Sequence, residues 1–177
     1  MTNEQQEFLR LAVVEQKHYE EIGKLMGSDA KQLRIWWDEL KVEREELSAL
    51  RKIWKKKFAT TDFWVFKKWY EDAERKCHYC DITEIELAEL IRLKEIKTKR
   101  ITTRGKRLEI ERKLPNLAYD VLDNLVFCCY WCNNAKTDEF TEVEFKPIGL
   151  EIGKIWKQRS RTARFGSDGS EISNVQK

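Results

Sequence analysis

The chain has 177 residues, with 34 lysines and arginines against 31 aspartates and glutamates, so its formal net charge is only +3. Its 41% hydrophobic and 37% charged residues are compatible with a folded core and argue against wholesale disorder. The longest apolar run, residues 125–132, falls short of the roughly 18 residues that a membrane-spanning helix needs. Met1 is not followed by a charged and then apolar leader. We therefore expect a helix-rich cytoplasmic protein that is neither secreted nor embedded in a membrane.

The amino-terminal third of the chain has helical periodicity and no strand pattern. A helix over residues 19–26 is expected to end at Gly27. Ser28 or Asp29 can cap the next helix, which covers residues 30–40. The pattern predicts two short helices joined by a glycine-containing turn.

Such a pair of helices is typical of a helix-turn-helix, whose second helix enters the major groove of DNA. Lys31 and Arg34 would lie on the outward face of that second helix and contact DNA. A generic helical bundle has the same sequence pattern, so both interpretations stay open. We assign residues 1–60 to this helical, helix-turn-helix-like module.

Four of the five cysteines form two C-x-x-C pairs, Cys77/Cys80 and Cys129/Cys132. Each pair can place two thiolates at the separation that a tetrahedral zinc ion needs, and two pairs make a closed site. Disulfides would require an oxidising compartment and would leave an odd cysteine. A thioredoxin-like site would need a βαβ pattern, which is absent. The sequence therefore predicts a structural Zn²⁺ site, with Cys128 as a small buried hydrophobic residue.

Residues 92–113 carry ten basic and three acidic side chains, an excess of seven positive charges in a chain of net charge +3. A solvated helix face usually mixes charges of both signs, so this bias indicates a phosphate-facing surface. The predicted DNA-binding residues of this segment are Lys99, Arg100, Arg104, Lys106 and Arg107.

Residues 107–112 alternate strictly between apolar and polar side chains, which predicts a β-strand. Its apolar residues are expected to face a core, which leaves Glu109 and Glu111 together on the opposite face. These carboxylates can pair with cross-strand cations or can hold a hard divalent ion. A second strand is expected over residues 124–128, followed by a helix that starts near Cys132.

Residues 123–138, DNLVFCCYWCNNAKTD, resemble the N-x-x-x-x-C-x-x-C-N-x-x-K signature of the HNH, or ββα-metal, nucleases. The resemblance begins at Cys77 and covers roughly a third of the chain. It implies a zinc-stabilised ββα-metal domain, which we place at residues 61–165. It also implies that Mg²⁺ or Mn²⁺ assists the hydrolysis of a DNA phosphodiester bond. The remaining residues, 166–177, are rich in glycine and serine and are expected to form a disordered tail.

The same resemblance implies roles for individual residues. Glu111 corresponds to the acidic metal ligand of the first strand, and Asn133 corresponds to the helix residue whose side-chain oxygen binds the catalytic ion. Asn124 corresponds to the asparagine that fixes the loop geometry by hydrogen bonds, and Lys136 to the lysine that follows the helix ligand.

The chain departs from the family pattern where Glu111 and Arg112 replace the usual Asp-His pair. The missing histidine is the general base, and arginine cannot replace it because its guanidinium stays protonated. Some phage-type relatives resemble this version of the motif. One interpretation is that Glu109, His78 or Tyr119 acts as the base. Another is that the metal alone activates the water while Arg112 holds the phosphate, and a third is that DNA is bound without being cut.

The leading hypothesis is an HNH-type endonuclease acting on DNA, mainly α-helical with a small β-hairpin. The alternative is a non-catalytic, zinc-stabilised DNA-binding protein. An RNA substrate shares the same phosphodiester chemistry and stays open.

Overall fold

The computed structural model describes residues 1–97 and 104–166 of the chain. Within these residues it contains eight α-helices and one two-stranded antiparallel sheet. The predicted fold class, mainly α with a small β-hairpin, is confirmed. The chain forms two compact units, Met1–Glu71 and Asp72–Lys177.

The helices of the first unit are α1 (Asn3–Leu9), α2 (Tyr19–Met26), α3 (Ala30–Glu39), α4 (Lys41–Lys57) and α5 (Phe63–Asp72). A π-helical turn, Arg10–Val14, continues α1. The elements of the second unit are α6 (Glu84–Arg92), β1 (Glu109–Arg112), β2 (Leu125–Cys128), α7 (Tyr130–Lys136) and α8 (Glu142–Gly166).

In the turn between α2 and α3, the residues predicted to end the first helix and to cap the second do so. Gly27 ends α2 in the left-handed conformation, at φ 65°, which glycine adopts without the steric cost of a side chain. Asp29 caps α3 because its side chain accepts a 2.7 Å hydrogen bond from the backbone nitrogen of Gln32. On the inner face of α3, Leu33 and Trp36 are buried. The two short helices of the predicted helix-turn-helix are therefore present, and their contact with DNA stays a prediction.

Helix α5, except for its last residue Asp72, belongs to the first unit, whereas the predicted domain boundary at residue 60 precedes it. Aromatic packing accounts for its position. The ring of Phe63 lies 5.5 Å from that of Trp54 in α4, and the ring of Phe66 lies 4.8 Å from that of Phe58. Both α5 phenylalanines are buried, and such rings contribute much apolar area to a core.

Helix α6 begins with a capping box, for which the T-x-x-E pattern of residues 83–86 is the sequence signature. The backbone nitrogen of Glu86 donates to the Thr83 hydroxyl at 3.1 Å, and the Thr83 nitrogen donates to the Glu86 carboxylate at 2.9 Å. Leu87 and Leu90, on the following turns, are buried in the second unit.

Strands β1 and β2 pair in antiparallel register, with Glu111 opposite Val126. The strand β1 is shorter than the predicted strand over residues 107–112. One reason is that the backbone nitrogen of Leu108 donates a 2.8 Å hydrogen bond to the Glu84 side chain of α6. The hairpin is followed directly by α7, which starts two residues earlier than predicted because Cys129 already caps it.

Two sets of predictions lie outside the described residues: the DNA-binding residues Lys99 and Arg100, and residues 167–177 of the predicted tail. Gly166, which the prediction placed in the tail, is instead the last residue of α8. Within the residues that are described, none of the helices has both the length and the apolar character needed to cross a bilayer.

Candidate metal centre and active site

The four cysteines of the two C-x-x-C motifs come together in the second unit. The sulfur atoms of Cys77, Cys80, Cys129 and Cys132 all lie within 4.8 Å of one another, and all four side chains are buried. Four thiolates at such distances suit a tetrahedral Zn²⁺ ion, whose Zn–S bonds are about 2.3 Å long. The predicted four-cysteine cluster is confirmed, and its donor set fits structural zinc.

Cys128 is buried beside this cluster but is not one of its four members. Its sulfur donates a 3.5 Å hydrogen bond to the backbone oxygen of Cys129. Burial raises the pKa of the Cys128 thiol, which favours the neutral form. Hydrogen bonds among the clustered thiols lower the pKa of Cys77 and raise the pKa values of Cys129 and Cys132.

Helix α8 packs closely against the first C-x-x-C motif through two glycines. A Cβ atom on Gly149 would lie 2.5 Å from the Cβ of Tyr79, and a Cβ on Gly153 would lie 2.7 Å from the backbone oxygen of Cys80. Neither glycine is among the predicted site residues. Their spacing of four residues, which places them on one face of a helix, is the signal that could have identified them.

Asn124 fixes the loop that joins the two strands. Its side-chain oxygen accepts a 2.9 Å hydrogen bond from the Leu114 nitrogen, and its side-chain nitrogen donates to the Leu114 oxygen at 3.0 Å. The Asn124 backbone oxygen also accepts a 2.8 Å bond from Lys113. The residue is only 5% exposed, so these bonds satisfy both ends of a buried amide. This geometry fits the loop-fixing role that the sequence resemblance implies.

The acidic residues of β1 contact α7 at two places. The Asn133 side-chain nitrogen donates to Glu109 Oε2 at 2.5 Å, and Lys136 Nζ lies 3.6 Å from Glu111 Oε1. The two acids are two residues apart on a strand and therefore lie on the same face of it. Their partners are three residues apart on a helix and likewise share one face. Glu111 and Asn133, the two predicted ligands of the catalytic ion, therefore lie on facing elements with different direct partners.

Glu111 is buried, although the sequence analysis placed it on the strand face opposite the core. Its side chain is 7% exposed and that of Lys136 is 0% exposed. The difference arises because α7 covers this face of β1. A carboxylate in such a place needs a compensating cation, and Lys136 supplies one.

Arg112 is held by three contacts. Its NH2 donates to Asp138 at 2.7 Å, its NH1 donates to the Leu117 backbone oxygen at 3.3 Å, and its guanidinium lies 4.9 Å from the centre of the Tyr119 ring. The Arg112 side chain is 19% exposed, whereas that of Asp138 is 79% exposed. Asp138 was not predicted as a site residue, because nothing in a local pattern links it to a residue on β1.

The three candidate bases occupy different surroundings. Glu109 accepts hydrogen bonds from Arg104 and Asn133. His78, inside the first C-x-x-C motif, contacts Glu142 of α8 through its Nε2 atom. Tyr119 is in contact with Arg112, as described above. Of the three, Glu109 and Tyr119 thus contact other predicted site residues, whereas the described partner of the His78 ring nitrogen is on α8.

The predicted DNA-binding residues differ in how available they are. Lys106 and Arg107 are exposed, as are Lys31 and Arg34 in the first unit. Arg104 is also partly exposed, but its guanidinium is bound to a carboxylate of β1. The exposed four are therefore the better placed to meet phosphate groups.

No protein-family model and no curated protein matches the chain. Among solved structures, the chain is similar to the rare-cutting HNH restriction endonuclease PacI, in a structure that concerns how this enzyme perturbs DNA. The TM-score is 0.47 and the identity 23%, over 70% of this chain and 78% of that one.

Proposed function

We propose that this protein is a metal-dependent, HNH-type endonuclease that hydrolyses phosphodiester bonds in DNA. The observation that carries this proposal is the double contact between β1 and α7, in which Glu109 meets Asn133 and Glu111 meets Lys136. One strand–helix junction thereby combines two carboxylates, an amide and a lysine, directly beside Arg112. Its strand β1 belongs to the β-hairpin, and its helix α7 also carries Cys132 of the four-cysteine cluster, as the sequence signature implies.

The oxygen donors of this junction suit a hard divalent ion. We assign Glu111 and Asn133 as its ligands, because carboxylate and amide oxygens are the ligands that Mg²⁺ and Mn²⁺ prefer. Such an ion, when bound, would neutralise negative charge on the scissile phosphate and the leaving oxygen. Lys136 balances the charge of the buried Glu111 and restrains it against α7.

Arg112 is suited to hold the scissile phosphate. A guanidinium keeps its charge and can offer two parallel N–H donors to phosphate oxygens. Its present carboxylate partner, Asp138, is 79% exposed, so water competes for this carboxylate and screens its charge. Exchange of Asp138 for a phosphate oxygen would therefore cost little.

The exposed cations supply the binding energy for the DNA backbone in this proposal. Lys106 and Arg107 precede β1, and Lys31 and Arg34 lie on α3. Contacts of this kind are electrostatic, do not depend on base sequence and weaken with salt. They support a nucleic-acid substrate, and RNA is an alternative that the same phosphate contacts would accept. The helix-turn-helix interpretation of α2 and α3 and the family resemblance favour DNA.

A non-catalytic DNA-binding protein is the second candidate, because Arg112 stands where the family has its general-base histidine. A guanidinium stays protonated and cannot act as that base. A binding protein of this kind would retain zinc and salt-sensitive DNA binding. It would have no second site for a divalent ion.

Incubation of zinc-loaded protein with supercoiled plasmid separates the two candidates. We expect nicking that requires added Mg²⁺ or Mn²⁺ and that is abolished by EDTA at concentrations that leave the zinc in place. A labelled RNA of matched length, added to parallel reactions, tests the nucleic-acid preference. Plasmid binding without metal-dependent nicking would reject the nuclease and support the binding protein.

A further inference from the structure

Glu109 lies at the centre of a three-residue clamp formed by Arg104, Glu109 and Asn133. Arg104 donates from Nε to Glu109 Oε1 at 2.7 Å and from NH2 to Oε2 at 2.6 Å. Asn133 donates from Nδ2 to the same Oε2 atom. The Arg104 guanidinium also lies 5.1 Å from the ring centre of Tyr130, the first residue of α7. The clamp therefore ties the segment before β1 to the helix that carries Asn133.

The clamp determines which end of the Asn133 amide faces β1. An ionised carboxylate can only accept hydrogen bonds, so the end of the amide that meets Glu109 must be the NH₂ group. The oxygen of a planar amide then points to the other side. This matters because an amide binds a hard cation through its oxygen and not through its nitrogen. Without Glu109, the terminal torsion of asparagine has two broad and nearly equivalent orientations.

Arg104 restricts what else Glu109 can do. Its two hydrogen bonds engage both carboxylate oxygens of Glu109, and one of these oxygens also accepts the hydrogen bond from Asn133. A carboxylate held in this way is a firm hydrogen-bond acceptor for Asn133, but it is poorly placed to take a proton from water. The two acids of β1 thus differ in role, since Glu111 meets Lys136 and Glu109 meets Arg104 and Asn133.

We infer that Glu109 is a positioning residue, whose Arg104-held carboxylate fixes the Asn133 amide with its oxygen presented to the catalytic ion; this inference rests on the proposed nuclease site. It also removes Glu109 from the candidate general bases. Partners that orient metal ligands typically change metal affinity about 10–100-fold when they are removed.

The test measures Mn²⁺ binding to zinc-loaded full-length protein by the electron paramagnetic resonance signal of free Mn²⁺. We expect Glu109→Ala to weaken binding about tenfold and Glu109→Asp, which keeps a carboxylate, to weaken it far less. The decisive variant is the double substitution Glu109→Ala with Asn133→Asp. An aspartate has an oxygen at both ends, so orientation no longer matters and affinity is expected to return to within about threefold of the original. Glu139→Ala, which removes an exposed carboxylate, is the control for loss of charge.

Each outcome decides between the roles of Glu109. Unchanged Mn²⁺ affinity in Glu109→Ala, or a loss that Asn133→Asp does not recover, overturns the inference. If Glu109→Ala loses zinc or helical structure, Arg104→Ala replaces it, with a smaller loss that Asn133→Asp again recovers. If the unchanged protein binds no Mn²⁺, the proposed function fails. The orientation of Asn133 is then still tested by the NMR signals of its side-chain NH₂, which Glu109→Ala must shift and Glu139→Ala must not.

Discussion

The ammonium group of Lys136 on α7 lies 3.6 Å from the carboxylate of Glu111 on β1, with both side chains buried. A buried ion pair of this kind balances the cost of removing two charges from water. This compensation is lost when one partner is removed, because the other charge is then left unpaired in the interior. This pair therefore links the candidate ligand Glu111 to the stability of the second unit.

Replacement of Lys136 by methionine is expected to destabilise the protein strongly. A broken buried ion pair typically costs about 3–5 kcal/mol in the free energy of unfolding. Equilibrium urea unfolding with saturating zinc measures this cost. The double variant Lys136→Met with Glu111→Leu should recover most of the loss, since it leaves no unpaired charge. A loss below about 1 kcal/mol in the single variant would contradict the buried pair.

The zinc site predicts different behaviour for two adjacent cysteines. Cys129→Ala removes a member of the cluster, so we expect it to abolish stoichiometric zinc binding and to lower helical content. Cys128→Ala is the matched control, and it is expected to keep stoichiometric zinc. Elemental analysis of the purified proteins, with circular dichroism alongside, gives both quantities. Zinc loss in Cys128→Ala but not in Cys129→Ala would show that the ligands are wrongly assigned.

Gly153 is expected to tolerate no side chain. A methyl group there would lie 2.7 Å from the backbone oxygen of Cys80, and backbone cannot move away as a flexible side chain can. Gly153→Ala should destabilise the protein by roughly 1–3 kcal/mol, as overpacked sites do. Ile155→Ala, at an exposed position on the same helix, controls for substitution in α8. Equal unfolding midpoints for the two variants would contradict the close approach of α8.

The exposed cations before β1 predict a salt-dependent change in DNA affinity. The variant Lys106→Ala with Arg107→Ala is expected to weaken duplex binding and to flatten the plot of log K against log salt. Each lost phosphate contact lowers that slope by about 0.9, so a decrease of up to about 1.8 is expected. Lys52→Ala, on the exposed surface of α4, is the control for loss of positive charge. Fluorescence anisotropy at several salt concentrations measures the slopes, and an unchanged slope would exclude these two residues from the interface.

The features that the sequence predicted well are those set by neighbours along the chain. Gly27 and Asp29 mark the turn between α2 and α3. The C-x-x-C spacing is likewise local, because the motif itself brings two thiols together. Each of these features depends only on residues within about four positions of one another along the chain.

The partners of the acidic residues could not be predicted in the same way. Alternation along β1 places Glu109 and Glu111 on one face, but the rotation of α7 about its axis decides which acid meets Asn133. The burial of Lys136 follows from the same packing. Which unit contains α5 also depends on tertiary contacts, because its phenylalanines pack on aromatic residues in and just after α4.

The measurement that tests the central proposal most directly compares two adjacent asparagines of α7. Asn133 faces β1, whereas Asn134 is exposed and donates only to the Tyr130 backbone oxygen among its described contacts. The rate of plasmid nicking by zinc-loaded protein in saturating Mn²⁺ is expected to fall at least about 100-fold in Asn133→Ala and to stay unchanged in Asn134→Ala. Equal nicking rates in the two variants, or no Mn²⁺-dependent nicking by the unchanged protein, would contradict the proposed nuclease site.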